Sequence, residues 1–158
     1  MKFDQLVKLY ETKQTGPPYI KKDTYGGTRL KNSVFYYKDP EYKILHREDG
    51  PAQIWTMKTN EPPTTAWWVN GKRHRIGGPA YENGLGDVEW FVDNVRHRED
   101  GPAVTRVNGT KATKTWWING ILLTPTEVKE HKKKLAVKKE IQSHKNNRID
   151  AGMLEDYL

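Results

Sequence analysis

A seven-residue phrase written three times constrains this chain more than any other feature. His46-Arg47-Glu48-Asp49-Gly50-Pro51-Ala52 returns as His74-Arg75-Ile76-Gly77-Gly78-Pro79-Ala80 and again as His97-Arg98-Glu99-Asp100-Gly101-Pro102-Ala103, at steps of 28 and 23 residues. A second phrase interleaves with it: Trp67-Trp68-Val69-Asn70-Gly71, Trp90-Phe91-Val92-Asp93-Asn94 and Trp116-Trp117-Ile118-Asn119-Gly120. From first aromatic to His is 7 residues in both complete copies. An earlier copy, Tyr36-Tyr37-Lys38-Asp39, precedes His46 by 10, which fits a three-residue insertion, and in the last copy Leu123 stands where His would be. Matched offsets of this kind mark a fold built by stacking units, none of which buries its apolar face alone.

Each unit reads as two strands and two turns. Asn-Gly after an aromatic and β-branched run is a tight-turn signal, because both residues tolerate positive φ. Asp-Gly-Pro is a second turn, in which Asp bonds the backbone ahead and Pro ends strand pairing. The stretch from the Pro to the next aromatic pair spans 16, 11 and 14 residues, as loops at one sheet edge do. The expected fold is mainly β: a single antiparallel meander of about six to eight short strands over residues 23–124.

The ends differ from the array. Phe3, Leu6, Val7 and Tyr10 fall at helical spacing, so residues 2–12 are expected to form a short amphipathic helix, followed by a break at Gly16-Pro17-Pro18. Residues 1–22 are thus read as helix and linker, 23–124 as the repeat domain, and 125–158 as a basic helix with an acidic tail. Thr124, Pro125 and Glu127 supply an N-cap, an N1 proline and a capping-box glutamate, for a helix expected to end near His144. The tail from Arg148 to Leu158 is expected to dock back on the domain.

Only 31 of the 158 residues are Leu, Ile, Val or Phe, so an ordered core must draw on the six Trp and eight Tyr. No cysteine is present, which excludes disulfides, thiolate metal sites and a cysteine nucleophile. No apolar run reaches the roughly 18 residues of a membrane span, and the first residues lack a signal peptide's apolar stretch. A cytoplasmic protein is the expectation.

The Trp-Val-Asn-Gly-Lys-Arg-His run at 68–74, followed by Gly77 and Gly78, resembles the MORN repeat. It resembles more closely the MORN-like repeats of YwqK-type proteins, and most of all a His-Arg-Glu-Asp-Gly-Pro-Ala variant found in proteins of large DNA phages and giant viruses. The resemblance covers residues 34–134. It implies a single curved layer of antiparallel hairpins that serves as a scaffold for proteins or, in some members, acidic lipids. This chain has His-Arg where the family has His-Gly and Asp-Gly-Pro-Ala where it has Gly-x-Gly, so lipid binding is not carried over.

Strand alternation puts Trp67, Trp90 and Trp116 on one face with Val69, Val92 and Ile118, a set that reads as core. Tyr37, Trp68, Phe91 and Trp117 fall on the other face, either covered by a terminal helix or stacked under arginine side chains, or open as a partner-binding ladder. Of these, partner binding is the sharper expectation.

The repeated His46, Arg47, Asp49, His74, Arg75, His97, Arg98 and Asp100 are read as structural. Neighbouring repeats are two strands, about 9.6 Å, apart, too far for three histidines to share one metal ion, so no metal or cofactor is expected. No P-loop, nucleophile elbow or metalloprotease motif occurs, and enzyme activity is not expected. Lys129, Lys132, Lys133, Lys134, Lys138, Lys139 and Lys145 make the C-terminal helix basic, and the chain carries a net charge of +7.

The expected function is therefore a non-enzymatic protein-binding module. By resemblance it is a phage or viral accessory protein that inhibits or sequesters a host defence or toxin component. One alternative is a nucleic-acid binder using the lysine helix and the aromatics. Another is a structural or virion accessory protein. No small-molecule ligand is indicated.

Overall fold

The computed structural model describes residues 2–11, 19–23, 32–56 and 62–155. In chain order the elements are α1 (Phe3–Glu11), β1 (Tyr19–Asp23), β2 (Asn32–Tyr37), β3 (Gln53–Thr56), β4 (Thr64–Ala66), β5 (Trp68–Val69) and β6 (Lys72–Arg73). They continue with β7 (Tyr81–Glu82), β8 (Val88–Glu89), β9 (Phe91–Val92), β10 (Val95–Arg96), β11 (Val104–Asn108), β12 (Lys111–Thr115), β13 (Trp117–Ile118), β14 (Ile121–Leu122) and α2 (Pro125–Glu155). Eight strands make one antiparallel sheet in the order β1-β2-β3-β4-β7-β8-β11-β12. The protein is thus mainly β, an antiparallel meander of hairpins with a helix at each end. The strand estimate of about six to eight describes the large sheet alone. The remaining six strands form three short hairpins, β5–β6, β9–β10 and β13–β14, which leave the sheet and return to it.

The chain turns a corner at the first aromatic of each doublet. β4 stops at Ala66 and β5 begins at Trp68, leaving Trp67 between them; Trp90 lies likewise between β8 and β9, and Trp116 between β12 and β13. The corner residues Trp67 and Trp90, like Tyr36 inside β2, keep their backbones paired. Tyr36, Trp67 and Trp90 donate their amides to the carbonyls of Ala52, Ala80 and Ala103 at 2.7–2.8 Å. Their own carbonyls accept the amides of His46, His74 and His97 at 3.1–3.2 Å. The three repeat alanines are fully buried, so each corner closes on a side chain no larger than a methyl group.

Ring and arginine close the corner from the other side. The guanidinium carbons of Arg47, Arg75 and Arg98 sit 4.1, 4.0 and 3.9 Å from the ring centres of Tyr36, Trp67 and Trp90. Such stacks contribute about 0.5–2 kcal/mol each, more as they are desolvated. The opposite face of the guanidinium lies on the repeat glycine. A Cβ on Gly78 would stand 2.7 Å from Arg75 Cζ, and one on Gly101 2.6 Å from Arg98 Cζ. In the first and third copies an aspartate holds the arginine edge-on, with Arg47 and Arg98 donating Nε–H to Asp49 and Asp100 at 2.9 and 2.8 Å. The Arg75 and Arg98 forks also reach the Pro79 and Pro102 carbonyls. The third copy shows the complete object, an arginine clamped between a ring, a glycine and a carboxylate; the first shows the ring and the carboxylate, the second the ring and the glycine.

The aliphatic core is small and lies at the first repeat: Val34, Tyr36, Ala52 and Ile54, with Leu45 and Trp68 against them and Leu6 and Val7 of α1 closing the cluster. The expected N-terminal helix is therefore part of the repeat unit, packed on β3. Tyr19–Asp23 forms β1 and pairs with β2, where a linker was expected through residue 22, because Tyr19 to Asp23 meet Tyr37 to Ser33 in register. Gly16-Pro17-Pro18 lies outside the described residues.

The chain divides into two compact units, 1–122 and 123–158. In the second, Thr124 caps α2: Glu127 accepts the Thr124 amide and hydroxyl at 2.7 Å, and the Thr124 hydroxyl takes the Glu127 amide at 3.4 Å. The hydroxyl and then the amide of Thr124 hold the Glu127 carboxyl below its ordinary range. The helix runs to Glu155, past the expected end near His144. Asn146 and Asn147 each disfavour a helix by only about 0.7 kcal/mol, too little to stop it. The side chains of the acidic tail lie outside the described residues. No described helix is long and apolar enough to cross a membrane.

A ring–arginine–glycine sandwich implies that its members are coupled. Gly101→Ala is expected to destabilise the protein by about 1–3 kcal/mol through overpacking. In the Arg98→Ala background the same change costs far less, because the clash is gone. Urea unfolding of the two single variants and the double variant measures this; additive costs contradict the sandwich.

Candidate functional site: the hairpin column

The three hairpins owe their form to their turns. Asn70 and Gly71, Asp93 and Asn94, and Asn119 and Gly120 all have positive φ at both central positions, between 49° and 80°. That pattern defines the type I′ turn that suits two-residue hairpins. The first copy uses a longer loop, in which Asp39 accepts the Lys43 and Ile44 amides at 3.0 and 2.7 Å and Tyr37 bridges Leu45. Desolvation raises the Asp39 pKa, but the backbone donors outweigh it and hold the carboxyl below its usual range.

Histidine and arginine stitch each copy to the next hairpin. His46, His74 and His97 accept at Nδ1 the amides of Asn70, Asp93 and Asn119, at 3.1, 3.3 and 3.1 Å. At His46 and His97 these bonds call for a bare Nδ1, with the ring proton on Nε2, whereas at His74 the Asp93 carboxylate competes for Nδ1 as a proton acceptor. His74 Nδ1 also lies 3.1 Å from the Asp93 carboxylate. Beside each, the amides of Arg47, Arg75 and Arg98 donate to the carbonyls of Trp68, Phe91 and Trp117 at 2.8–3.1 Å. Gly71, Asn94 and Gly120 return a bond to Leu45, Arg73 and Arg96 at 2.8–2.9 Å. The hairpins thus form a continuous column, bonded edge to edge. The eight repeat residues read as structural all lie in these clamps and stitches; the middle copy contributes two of them because Gly77 stands where the others have aspartate.

The column reverses the two faces expected from alternation. Directly opposed residues share a face, so Trp68 with Arg73, Phe91 with Arg96 and Trp117 with Leu122 form one side. Trp68 packs on the core and Phe91 is only 9% exposed. Arg73 bridges the Trp68, Phe91 and Tyr81 rings, and Arg96 the Phe91 and Trp117 rings, with centroid distances of 5.2–5.7 Å. The indole N–H groups of Trp68 and Trp117 donate to Gln53 and Thr115 at 2.9 Å. Tyr37 is half-buried and packs on Phe35 and Tyr42, apart from the other three. Of the two readings given for this set, arginine stacking is the one seen at Trp68, Phe91 and Trp117, on a side where Leu122 remains exposed. The reason is the corner: a chain that bends at Trp67 or Trp90 restarts its alternation against a different neighbour.

Arg73 and Arg96 are residues that sequence reasoning passed over. Their signal is the Arg-His-Arg triplet at 73–75 and 96–98, with Leu45-His46-Arg47 as its aliphatic version at the aliphatic end. Arg96 also shares the buried Glu89 with Arg106 of β11. Burial raises the Glu89 pKa, but hydrogen bonds from Arg106 and then Arg96 prevail and hold it below the usual carboxylate range.

The outer side carries Val69 and Lys72, Val92 and Val95, and Ile118 and Ile121, with Val95 and Ile121 exposed. A groove of about 800 Å³ opens on this side at the second and third copies. Trp90, Val92, Val95 and Ile76 give it apolar surface, and Arg75, Asp93, His97 and Glu99 are among its polar groups. Among the described residues no three His, Asp or Glu side chains converge as a metal site. In the second unit, Lys129, Lys132, Lys133, Lys134, Lys138, Lys139 and Lys145 are all exposed along α2. Comparison with family models, with curated proteins and with solved structures gives no match.

The imidazole stitch has a direct readout. In His97→Phe the Asn119 amide loses its acceptor, and its hydrogen exchange is expected to accelerate about tenfold, the equivalent of one hydrogen bond. Exchange at the unaffected Asp93 amide serves as the internal reference. An Asn119 amide that exchanges at its original rate contradicts the stitch.

Proposed function

We propose that this chain is a non-enzymatic protein-binding module that docks a partner on the outer face of its hairpin column. The observation that carries this reading is the groove at the second and third copies, with apolar surface from Trp90, Val92 and Val95 amid charged groups. An apolar centre with a polar surround is the anatomy of protein interfaces, and Ile76, 75% exposed beside it, adds an apolar side chain free to be covered. The stitches beneath it are hydrogen bonds from hairpin and repeat backbone to neighbouring backbone and imidazole groups, so the surface is held in shape before binding, which lowers the entropic cost of association.

Occupation of a partner, rather than its chemical alteration, is the mode of action this surface suits. An inhibitor or sequestering protein works in that way, and the resemblance to repeat proteins of large DNA phages and giant viruses makes a host defence or toxin component the target we propose. The seven exposed lysines of α2 support nucleic acid as a second reading, since neutralising phosphates is what such a run of cations does.

Val95→Asp places a charge on the apolar surface at an exposed position of β10 and leaves the hairpin pairing intact. Tagged wild type and this variant are compared by pull-down from bacterial lysate, one half treated with nuclease and the other left untreated. A protein held at matched stoichiometry by the wild type and lost from the folded variant is the expected result. Equal retention by both removes the groove from the function, and a retained species that vanishes on nuclease treatment moves the function to α2.

A further inference from the structure

The three copies of the repeated phrase differ at two positions, which in the middle copy are Ile76 and Gly77, and both face the groove. Asp49 and Asp100 accept Nε–H from Arg47 and Arg98. In the middle copy that position is Gly77, and among the described residues Arg75 has no carboxylate partner. Its ring stack on Trp67 matches both other clamps, and its bond to the Pro79 carbonyl matches that of Arg98 to Pro102. Arg75 therefore presents a guanidinium that is flattened, oriented and partly desolvated, with its carboxylate position vacated. The vacancy is open: a Cβ built on Gly77 meets nothing within 4 Å, and Arg75, Ile76 and Gly77 all line the groove.

We infer that Arg75 is a carboxylate-receiving site, filled by an Asp or Glu side chain of the docked protein segment. The inference rests on the groove being a docking surface and names the chemistry of what docks there. A carboxylate at Arg75 completes a clamp that the flanking copies complete internally, and planar two-point recognition of carboxylates is what arginine does best. An apolar side chain next to that acid in the partner lies toward Trp90, Val92 and Val95. At the third copy Asp100 already occupies Arg98, and Asp93, Glu99 and Asp100 repel a second acid. The partner motif is thus one acidic residue adjoining an apolar one.

The probe is the blocked dipeptide acetyl-Asp-Leu-amide, set against its uncharged isostere acetyl-Asn-Leu-amide, titrated into the full chain at millimolar concentration. The readouts are the Arg75 Nε–H and Trp90 indole N–H signals by NMR. The Asp peptide is expected to shift both saturably and to bind about tenfold or more tightly than the Asn peptide, the usual margin of a charge-assisted hydrogen bond. Gly77→Asp, which refills the vacancy from within, and Arg75→Gln, which keeps a flat polar group on Trp67, are each expected to remove that preference. Two variants are used because positive φ at Gly77 strains an aspartate there. Equal affinity for the two peptides, or no shift at Arg75, overturns the inference. A partner still lost from Val95→Asp in that case leaves the docking surface standing and removes only the carboxylate site.

Discussion

An arginine laid flat between an aromatic ring and a glycine holds this fold together. The chain has too few aliphatic residues to bury a conventional core along its whole length, and among the described residues the aliphatic cluster sits at the first repeat under α1. Elsewhere the interior is built from guanidinium groups on rings: Arg47, Arg75 and Arg98 at the corners, and Arg73 and Arg96 inside the column. A guanidinium suits this task because it is planar, weakly hydrated on its faces and able to donate at its edge while stacked. The rest of the repeated phrase follows from that placement. Glycine is there for room, aspartate for the edge, alanine for the closed corner, and histidine for the amide of the neighbouring hairpin.

Because each copy is stitched to the next, the outer face of the column is rigid, and differences among copies become differences of surface. That is why Ile76 and Gly77 carry more functional meaning than the matched residues around them. Where the phrase is complete, its charges are spent on the fold. Where it is broken, a prepared arginine and an exposed isoleucine face a groove. Local departure from a consistent pattern is where function is expected in a chain whose other levels agree.

Much of this was legible in the residues. The offsets of the two phrases mark the units, Asn70-Gly71 and Asn119-Gly120 mark tight turns, and Thr124 to Glu127 mark the start of α2. The corners were not legible. Alternation carries a face assignment only along an unbroken strand, and the bend at Trp67 and Trp90 exchanges inside for outside, putting Trp68 and Phe91 inward. The role of Arg73 and Arg96 was hidden for a related reason: a residue that precedes the histidine belongs, by pairing, to the hairpin and not to the phrase. The length of α2 depended on small propensities at Asn146 and Asn147 that a capping signal does not report.

The claim on which everything else depends is that the repeat arginines lie face-on to the corner rings. Protons held over the face of an aromatic ring are shielded, so the side-chain resonances of Arg75 and Arg98 report the stacks directly by NMR. The account predicts Hδ and Hε signals of both arginines displaced well upfield of their free positions, with slowly exchanging Nε–H. Signals at free-arginine positions with fast exchange would show that the guanidinium groups are solvated, and would contradict it.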